Sequence, residues 1–350
     1  MPVRVLIVDD SALIRELLTE LLRSDPDIEV AGTASDPYVA RERIKALNPD
    51  VVTLDIEMPR MDGLSFLERL MALRPTPVVV VSTLTQKGAD AAIRALELGA
   101  VDCVAKPLLD IRAGVGRLRD ELVGKVKAAA VARPLGRARE APAGPPLAFD
   151  SRLSATGRIV AIGASTGGVE ALQHLLTALP ANAPAILVTQ HMPPGFTASF
   201  ARRLDEQCRM SVCEASDGRR VMPGHVYLSN GSQHLELVRS GAHFACRLHD
   251  GPRVSGHRPS VDVLFASVAA AAGGNAVGVI LTGMGQDGAA GLLAMRRAGA
   301  RTLGQDEGSC LIYGMPKAAK LLGAVEIERP LSKIAAEILS LTHSQCCPVR

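Results

Sequence analysis

The 350-residue sequence predicts an α/β protein with two doubly wound domains, each built on a parallel sheet. In both halves of the chain, short aliphatic runs typical of strands buried on both faces alternate with segments of helical periodicity. Between the halves, Ala, Pro, Gly and Arg dominate the composition, which is typical of a flexible linker. We therefore expect a first domain over 1–122, a linker over 123–156 and a second domain over 157–345.

The first domain begins with an aliphatic strand at 3–8, and the next segment has helical spacing with Ser11 placed as its N-cap. Further buried strands are predicted at 51–54 and 78–81. Helical patterns separate the strands at about 36–48, 63–73 and 88–98. This repetition predicts a parallel sheet with helices on both faces.

Strand and helix patterns alternate again after Arg158. Buried strands are expected at 159–162, 185–188 and 277–281. The longest apolar stretch, 263–281, is broken by Gly273-Gly274-Asn275, so it predicts a helix, a turn and a strand instead of a membrane span, which needs about 20 mostly apolar residues. The region 211–249 contains shorter strand-like pieces among turn residues and predicts a hairpin insertion.

Charge and cysteine content restrict the class of protein. Residues 1–124 carry 15 basic against 20 acidic side chains, a balance of −5, whereas 125–350 carry 24 against 16, a balance of +8. Opposite charge favours attraction between the halves or an acidic partner for the second half, although ordinary surface charge is an equal alternative. The seven cysteines are odd in number and irregularly spaced, which indicates reduced thiols in the cytoplasm, and no C-x2-C pair supports zinc.

Polar side chains end the predicted strands of the first domain. They are Asp9, Asp10, Asp55, Ser82 and Lys106. The carboxyl ends of strands in an open α/β sheet converge on one crevice, where carboxylates would bind Mg²⁺. The metal and Lys106 would neutralise an incoming phosphoryl group, leaving Asp55 as its acceptor. The alternative is that acids and a lysine simply terminate buried strands.

With these residues in place, 1–122 resembles a response-regulator receiver domain, which has a flavodoxin-like fold. The resemblance implies phosphorylation of Asp55 by a histidine kinase, with Ser82 as the switch hydroxyl and Lys106 at the phosphorylation site. It implies a Mg²⁺ site formed by Asp9, Asp10, Asp55 and the backbone carbonyl of Glu57. Cys103 departs from the family, which usually has an aromatic switch residue at that position.

A serine lies in a glycine-rich turn near the start of the second domain. Ser165 is the centre of Gly163-Ala164-Ser165-Thr166-Gly167, which has the form G-x-S-x-G. A predicted strand precedes it and a helical segment at 169–179 follows, so the hydroxyl is expected near a helix N-terminus that favours developing negative charge. The competing interpretation is a glycine-rich phosphate loop, but the spacing matches neither G-x-G-x-x-G nor a P-loop.

Two further side chains lie where they could activate this serine. His191 follows the strand at 185–188, and Asp287 lies just beyond the strand at 277–281. His191 could take the proton of Ser165, and Asp287 could orient the imidazole and stabilise its cation. Position distinguishes His191 from the other seven histidines, but the residues alone leave open a structural histidine and a turn aspartate. The order Ser, His, Asp differs from that of α/β-hydrolases.

Five segments resemble the catalytic domain of the CheB family of chemotaxis methylesterases. They are 163–168, 190–193, 258–262, 282–288 and 314–316. The resemblance implies a Rossmann-like fold that needs no cofactor for ester hydrolysis. Its substrates would be methyl-esterified glutamates, and particular glutamines, on methyl-accepting chemotaxis receptors. It also implies that Ser165 attacks the γ-carbonyl and that the backbone amides of Thr166 and Met284 stabilise the oxyanion.

The resemblance further implies how the two domains cooperate. The receiver would cover the active-site cleft until the histidine kinase CheA phosphorylates Asp55. We expect a cytoplasmic protein recruited to receptor arrays, with no nucleic-acid partner and no membrane insertion. The tail at 343–350 contains no recognisable receptor-tethering signal.

Other functions share parts of this pattern. A DNA-binding response regulator would have the same first domain but a compact helix-turn-helix output. A catalytically silent adaptor would keep the fold without the reaction. The same chemistry in a chemosensory pathway unrelated to motility is a further alternative.

Overall fold

The computed structural model describes residues 1–58, 63–106, 115–132 and 157–343. The chain divides into two compact units, Met1–Arg139 and Glu140–Arg350. Among the described residues, no helix combines the length and apolarity that crossing a membrane requires.

The first unit is a five-stranded parallel sheet with the order β2-β1-β3-β4-β5. Its strands are β1 Val3–Val8, β2 Ile28–Ala34, β3 Val51–Asp55, β4 Val78–Ser82 and β5 Asp102–Ala105. Its helices are α1 Ala12–Arg23, α2 Pro37–Leu47, α3 Gly63–Leu73, α4 Gln86–Glu97 and α5 Val115–Val131. The strand order reverses between β1 and β3, which places a crevice at their carboxyl ends.

Local sequence explains where these helices begin. Ser11 caps α1 by accepting a hydrogen bond from the Ile14 amide at 3.4 Å, as predicted. Asp36 caps α2 through the amides of Tyr38 and Val39, at 2.9 and 3.0 Å. These caps satisfy amides that have no partner within the helix.

Helix α5 extends past the predicted end of the first domain at residue 122. It continues to Val131, so the first part of the predicted linker is helical. Leu122, Val126 and Ala129 are fully buried and lie on one face because they are four and three residues apart. Lys127 also forms ion pairs of 2.8 Å with Asp25 and Asp27. The rest of the predicted linker, 133–156, lies outside the described residues.

The second unit is a seven-stranded sheet of order β14-β13-β12-β6-β7-β9-β8, with a separate hairpin of β10 and β11. Its strands are β6 Ile159–Ala164, β7 Ala185–Gln190, β8 Ser211–Glu214, β9 His225–Leu228, β10 His234–Ser240, β11 His243–His249, β12 Ala276–Ile280, β13 Arg301–Gln305 and β14 Ile327–Arg329. Its helices are α6 Gly168–Thr177, α7 Phe196–Gln207, α8 Val261–Ala272, α9 Ala289–Arg297, α10 Met315–Leu321 and α11 Leu331–His343. All pairs in the large sheet are parallel.

Two sequence predictions for this unit have different outcomes. The stretch 263–281 forms a helix, a 3-10 turn at Gly273–Asn275 and a strand, as predicted. In the region 211–249, however, only β10 and β11 form a hairpin. Strands β8 and β9 instead extend the main sheet, because the buried residues of β9 pair in parallel with β7.

The predicted end of the second domain at residue 345 lies outside the described residues, as does the tail from 344 onward.

Strands β6 and β12 are neighbours, and the chain builds outward from them in both directions. This reversal of strand order places a crevice at the carboxyl ends of β6 and β12. Ser165, which directly follows β6, therefore lies at the position where open α/β sheets bind ligands.

Candidate active site and carboxylate cluster

Ser165 occupies a tight turn between β6 and α6, as predicted. Its amide donates to the Thr282 carbonyl at 3.1 Å, and its own carbonyl accepts from the Gly168 amide at 2.7 Å. Gly167 precedes the helix with φ of +78°, a conformation that favours glycine. The turn therefore fixes the Ser165 backbone between the ends of β6 and β12.

Close packing holds this turn in place. A Cβ atom on Gly283 would lie 2.8 Å from the Cβ of Ser165, so the backbone after β12 can approach the serine only with glycine there. Gln190 Nε2 donates to the carbonyls of Ser165 and His191, at 2.9 and 3.1 Å. Gln190 thus joins the two loops that carry the candidate nucleophile and base.

His191 leaves the sheet beside Ser165. Strands β6 and β7 pair with Ala164 opposite Gln190, and the His191 amide donates to the Ala164 carbonyl at 3.1 Å. The His191 Nε2 atom lies 2.8 Å from Asp287 Oδ2. Because an ionised carboxylate only accepts, Nε2 is the donor in this contact, and the neutral tautomer that donates through Nε2 has its lone pair on Nδ1. Nδ1 is buried and has no hydrogen-bond partner among the described residues, so no other protein group there engages this nitrogen.

Asp287 is 2% exposed and is stabilised by the N-terminus of α8. Its Oδ1 atom accepts from Ser260 Oγ at 2.7 Å and from the Asp262 amide at 3.1 Å. Its Oδ2 atom accepts from the Val261 amide at 2.7 Å. Burial raises the pKa of Asp287, but the hydrogen bonds from His191, Val261 and Ser260 outweigh burial and lower the pKa to about 2. The carboxylate is therefore ionised at neutral pH.

The two predicted oxyanion residues lie in the loops that adjoin Ser165. Thr166 follows it in the chain and is buried, and its carbonyl accepts from Thr282 Oγ at 3.1 Å. Met284 follows Gly283 and is 43% exposed. The Gly283 carbonyl accepts from the Met315 amide at 2.8 Å, which fixes the loop before Met284. Both residues therefore lie at the same crevice as the serine.

The predicted phosphorylation site also comes together. Lys106 Nζ lies 2.9 Å from Asp9 Oδ2 and 2.7 Å from Asp55 Oδ2, and both aspartates are buried. Burial raises the pKa of Asp55, and the Lys106 ammonium offsets this effect only in part. Burial lowers the pKa of Lys106, but its hydrogen bonds to the two aspartates outweigh burial and raise it overall. Lys106 is therefore a cation held directly at Asp55.

Three carboxylates provide a suitable ligand set for a divalent cation. Each of Asp9, Asp10 and Asp55 offers an oxygen atom within 4.8 Å of those of the other two. Hard cations such as Mg²⁺ prefer such oxygen ligands. Glu57 donates its amide to Asp55 Oδ1 at 3.0 Å, whereas its side chain accepts from Thr83 Oγ at 2.6 Å. The side chain of Glu57 is thus engaged elsewhere, which is consistent with a role for its backbone alone.

The predicted switch positions lie on β4 and β5. Ser82 is fully buried and donates to the Gly88 carbonyl at 3.0 Å. Cys103 is also buried, and burial raises the pKa of its thiol to about 12. The thiol is therefore protonated and packs as a small apolar group at the position where, by the resemblance, receiver domains usually have an aromatic residue.

These observations define a class of protein. The first unit is a parallel α/β domain with a carboxylate cluster, like a receiver domain, and the second is a parallel α/β domain with a candidate serine hydrolase site. The CheB methylesterase family model matches residues 160–338, and the response regulator receiver domain model matches 5–115. The second unit is not the compact helix-turn-helix that a DNA-binding regulator would require.

Several known proteins are similar over most of the chain. A protein-glutamate methylesterase/protein-glutamine glutaminase of Chromohalobacter salexigens is 57% identical over 337 residues, covering 96% of this chain and 95% of that protein. One of Bordetella parapertussis is 58% identical over 341 residues, covering 97% of each. The crystal structure of the Thermotoga maritima CheB methylesterase catalytic domain is 37% identical with a TM-score of 0.52, covering 53% of this chain and 99% of that one. The chain belongs to the CheB methylesterase family.

This result confirms the family, the fold class and the assignment as a hydrolase with a receiver domain. Sequence reasoning identified the residues at the strand ends but missed Gln190 as a connection between Ser165 and His191. It noted 258–262 only through the resemblance and missed the three donors to Asp287. A sequence signal for these donors was Ser260, which immediately precedes the helix that begins at Val261, because serine is typical of an N-cap.

Proposed function

We propose that this protein is a phosphorylation-activated protein-glutamate methylesterase and protein-glutamine glutaminase that acts on methyl-accepting chemotaxis receptors. One observation carries the proposal: His191, which leaves the sheet beside Ser165, is bonded to ionised Asp287 through Nε2, and its Nδ1 has no hydrogen-bond partner among the described residues. This arrangement suits acyl transfer by a serine nucleophile. The relatives' names supply the substrate class, esters and amides of glutamate side chains.

In the first half of the reaction, Ser165 Oγ attacks the γ-carbonyl carbon while its proton passes to His191 Nδ1. Asp287 stabilises the imidazolium that results. The amides of Thr166 and Met284 donate to the oxyanion, and such donors lower a barrier by about 3–4 kcal/mol. The bond to the leaving group then breaks as His191 donates this proton to the leaving oxygen or nitrogen. Methanol is released from an ester, and ammonia from a glutamine.

The second half of the reaction restores the enzyme. Water attacks the acyl carbon, and its proton passes to His191 Nδ1. The bond to Ser165 Oγ breaks, and the serine recovers a proton from the imidazolium. The product in both cases is glutamate, so one site serves ester hydrolysis and deamidation.

We also propose that the first unit controls this site. Asp55 accepts a phosphoryl group from the histidine kinase CheA, and Lys106 neutralises part of the incoming charge. Asp9, Asp10, Asp55 and the Glu57 carbonyl would hold Mg²⁺, which supplies further charge neutralisation when bound. Ser82 would exchange its bond to the Gly88 carbonyl for one to the phosphoryl group. The opposite charge balances of the two halves support a receiver that covers the cleft before phosphorylation.

This role places the protein in the cytoplasm at receptor arrays, where its substrates and its kinase meet. A chemosensory pathway unrelated to motility would use the same chemistry.

Replacing the nucleophile tests the proposed reaction. We expect Ser165→Ala to reduce methanol release from methylated receptors by about 10⁴-fold or more, because no other hydroxyl replaces the nucleophile. Ser240→Ala, at an exposed serine that ends β10, is the matched control and should retain full activity. Equal activity in Ser165→Ala and wild type would exclude Ser165 as nucleophile. Failure of a fluorophosphonate to label Ser165 would instead favour the silent adaptor.

A further inference from the structure

The imidazole of His191 is held on its face as well as at its edge. The ring of His257 stacks on it with the centroids 3.8 Å apart and the planes 9° from parallel. The hydrogen bond from Nε2 to Asp287 fixes one atom of His191 and leaves the ring able to rotate about that contact. The second torsion of histidine is broad, so a hydrogen bond alone leaves its ring plane poorly defined. A flat ring in van der Waals contact removes this freedom.

His257 lies at the end of a tight two-residue turn. The Val254 amide donates to the His257 carbonyl at 3.1 Å, and the His257 amide donates to the Val254 carbonyl at 2.9 Å. Ser255 and Gly256, at the tip, have φ of +53° and +80°. Arg253 donates to the Gly256 carbonyl at 3.2 Å. The backbone that carries His257 is therefore fixed by its own hydrogen bonds.

The same segment is attached to the carboxylate that orients His191. Ser255 Oγ donates to Asp262 Oδ2 at 3.2 Å, and Asp262 Oδ1 accepts from the Gly291 amide at 2.7 Å. The Asp262 amide in turn donates to Asp287. Residues 253–262 thus present His257 to the face of the His191 ring and the start of α8 to Asp287. One stretch of chain defines both constraints on the base.

We propose that His257 is a positioning residue that sets the plane of the His191 imidazole and so directs Nδ1 toward Ser165. This inference rests on the proposed role of His191 as the base. Its contribution comes from a flat side chain in stacking contact, not from proton transfer by His257. Displacing a catalytic group by about 1 Å can cost about 10²-fold in rate, so losing the stack affects the chemical step more than binding.

Substitutions that separate flatness from volume test this role in the full chain. His257→Leu keeps bulk but not a flat ring, and we expect kcat for receptor demethylation to fall about 10–100-fold with KM nearly unchanged. His257→Phe keeps a flat ring without a titratable nitrogen and should retain kcat within about threefold. A Leu variant with wild-type kcat, or a Phe variant as slow as the Leu variant, would overturn the proposal.

A second measurement does not depend on the receptor substrate. The rate at which a fluorophosphonate labels Ser165 reports activation of the serine alone, and it should follow the same order: wild type, Phe, then a large decrease in Leu. If receptors are not demethylated but this order holds, the proposed substrate is wrong and the role of His257 stands. If labelling is equal in all three proteins, the role of His257 is wrong whatever the substrate. Urea midpoints of the variants identify any loss caused by unfolding.

Discussion

His234 connects the β10–β11 hairpin to the residues that hold Asp287. It is 1% exposed, and its Nδ1 atom accepts from the Ser260 amide at 3.2 Å while Nε2 donates to the Pro252 carbonyl at 2.9 Å. One nitrogen accepts and the other donates, so this arrangement requires a neutral imidazole. Burial lowers the pKa of His234, in agreement with that requirement.

The protonation state of His234 gives a prediction for stability. The unfolded chain takes up this proton near the ordinary pKa of 6.5, whereas the folded protein does so only at lower pH. The contribution of neutral His234 to the free energy of unfolding is therefore fully present above about pH 6.5 and is lost as the pH falls. Urea midpoints at pH 7.5 and 5.5 measure this loss.

Variants assign the loss to His234. His234→Asn keeps an acceptor near the position of Nδ1 but does not titrate, so its urea midpoint should depend less on pH. His243→Asn, at an exposed histidine of β11, should retain the wild-type dependence. An unchanged dependence in His234→Asn would show that its protonation does not affect folding.

The positions of the candidate site residues were predictable from sequence where the sheet topology alone determines them. Ser165, His191 and Asp287 follow buried strands, and parallel strands end at one edge of a sheet. The donors to Asp287 were not predictable in this way. Ser260 and Val261 lie 27 and 26 residues from it in the chain, and only the packing of α8 at the sheet brings them into contact. The stacked pair of histidines likewise depends on tertiary packing, which leaves no local pattern.

At the scale of elements, α5 shows how composition can hide a helix. The segment after residue 122 is rich in small residues, which suggested a linker. Leu122, Val126 and Ala129 nevertheless have helical spacing, and their burial explains why the helix continues. Strands β8 and β9 were mistaken for hairpins because short strands carry little information about which neighbour they pair with.

Substituting Gly124 tests the extension of α5. A Cβ atom there would meet no other atom within 4 Å, and alanine in a helix interior is more stable than glycine by about 0.5–1 kcal/mol. We therefore expect Gly124→Ala to raise the free energy of unfolding of the first unit by about that amount. Gly99→Ala should lower it, because Gly99 has φ of +101°. No change in Gly124→Ala would indicate that residue 124 belongs to a linker.

The whole molecule combines two sites of the same construction. Each unit places reactive side chains at the carboxyl ends of the two strands between which its sheet order reverses. In the proposed function, these side chains accept a phosphoryl group in the first unit and transfer an acyl group in the second. We propose that joining them in one chain lets the state of Asp55 control reactions at Ser165.

The proposed control requires Asp55 for stimulation. Asp55→Asn removes the acceptor carboxylate, so a small phosphodonor should no longer accelerate the enzyme. Glu16→Gln changes an exposed carboxylate of the same unit and should leave stimulation intact. The measurement is the ratio of demethylation rates with and without phosphodonor in each variant. Stimulation that persists in Asp55→Asn would place the regulatory phosphate elsewhere.

Methanol release from methylated chemoreceptors, measured with and without a small phosphodonor, examines substrate, chemistry and regulation together. We predict slow release by the unphosphorylated protein, faster release with phosphodonor and Mg²⁺, and almost none from Ser165→Ala under either condition. Receptors that keep their methyl groups in the presence of phosphorylated wild-type protein would contradict the proposed reaction. A release rate that does not respond to the phosphodonor would contradict the proposed control of Ser165 by Asp55.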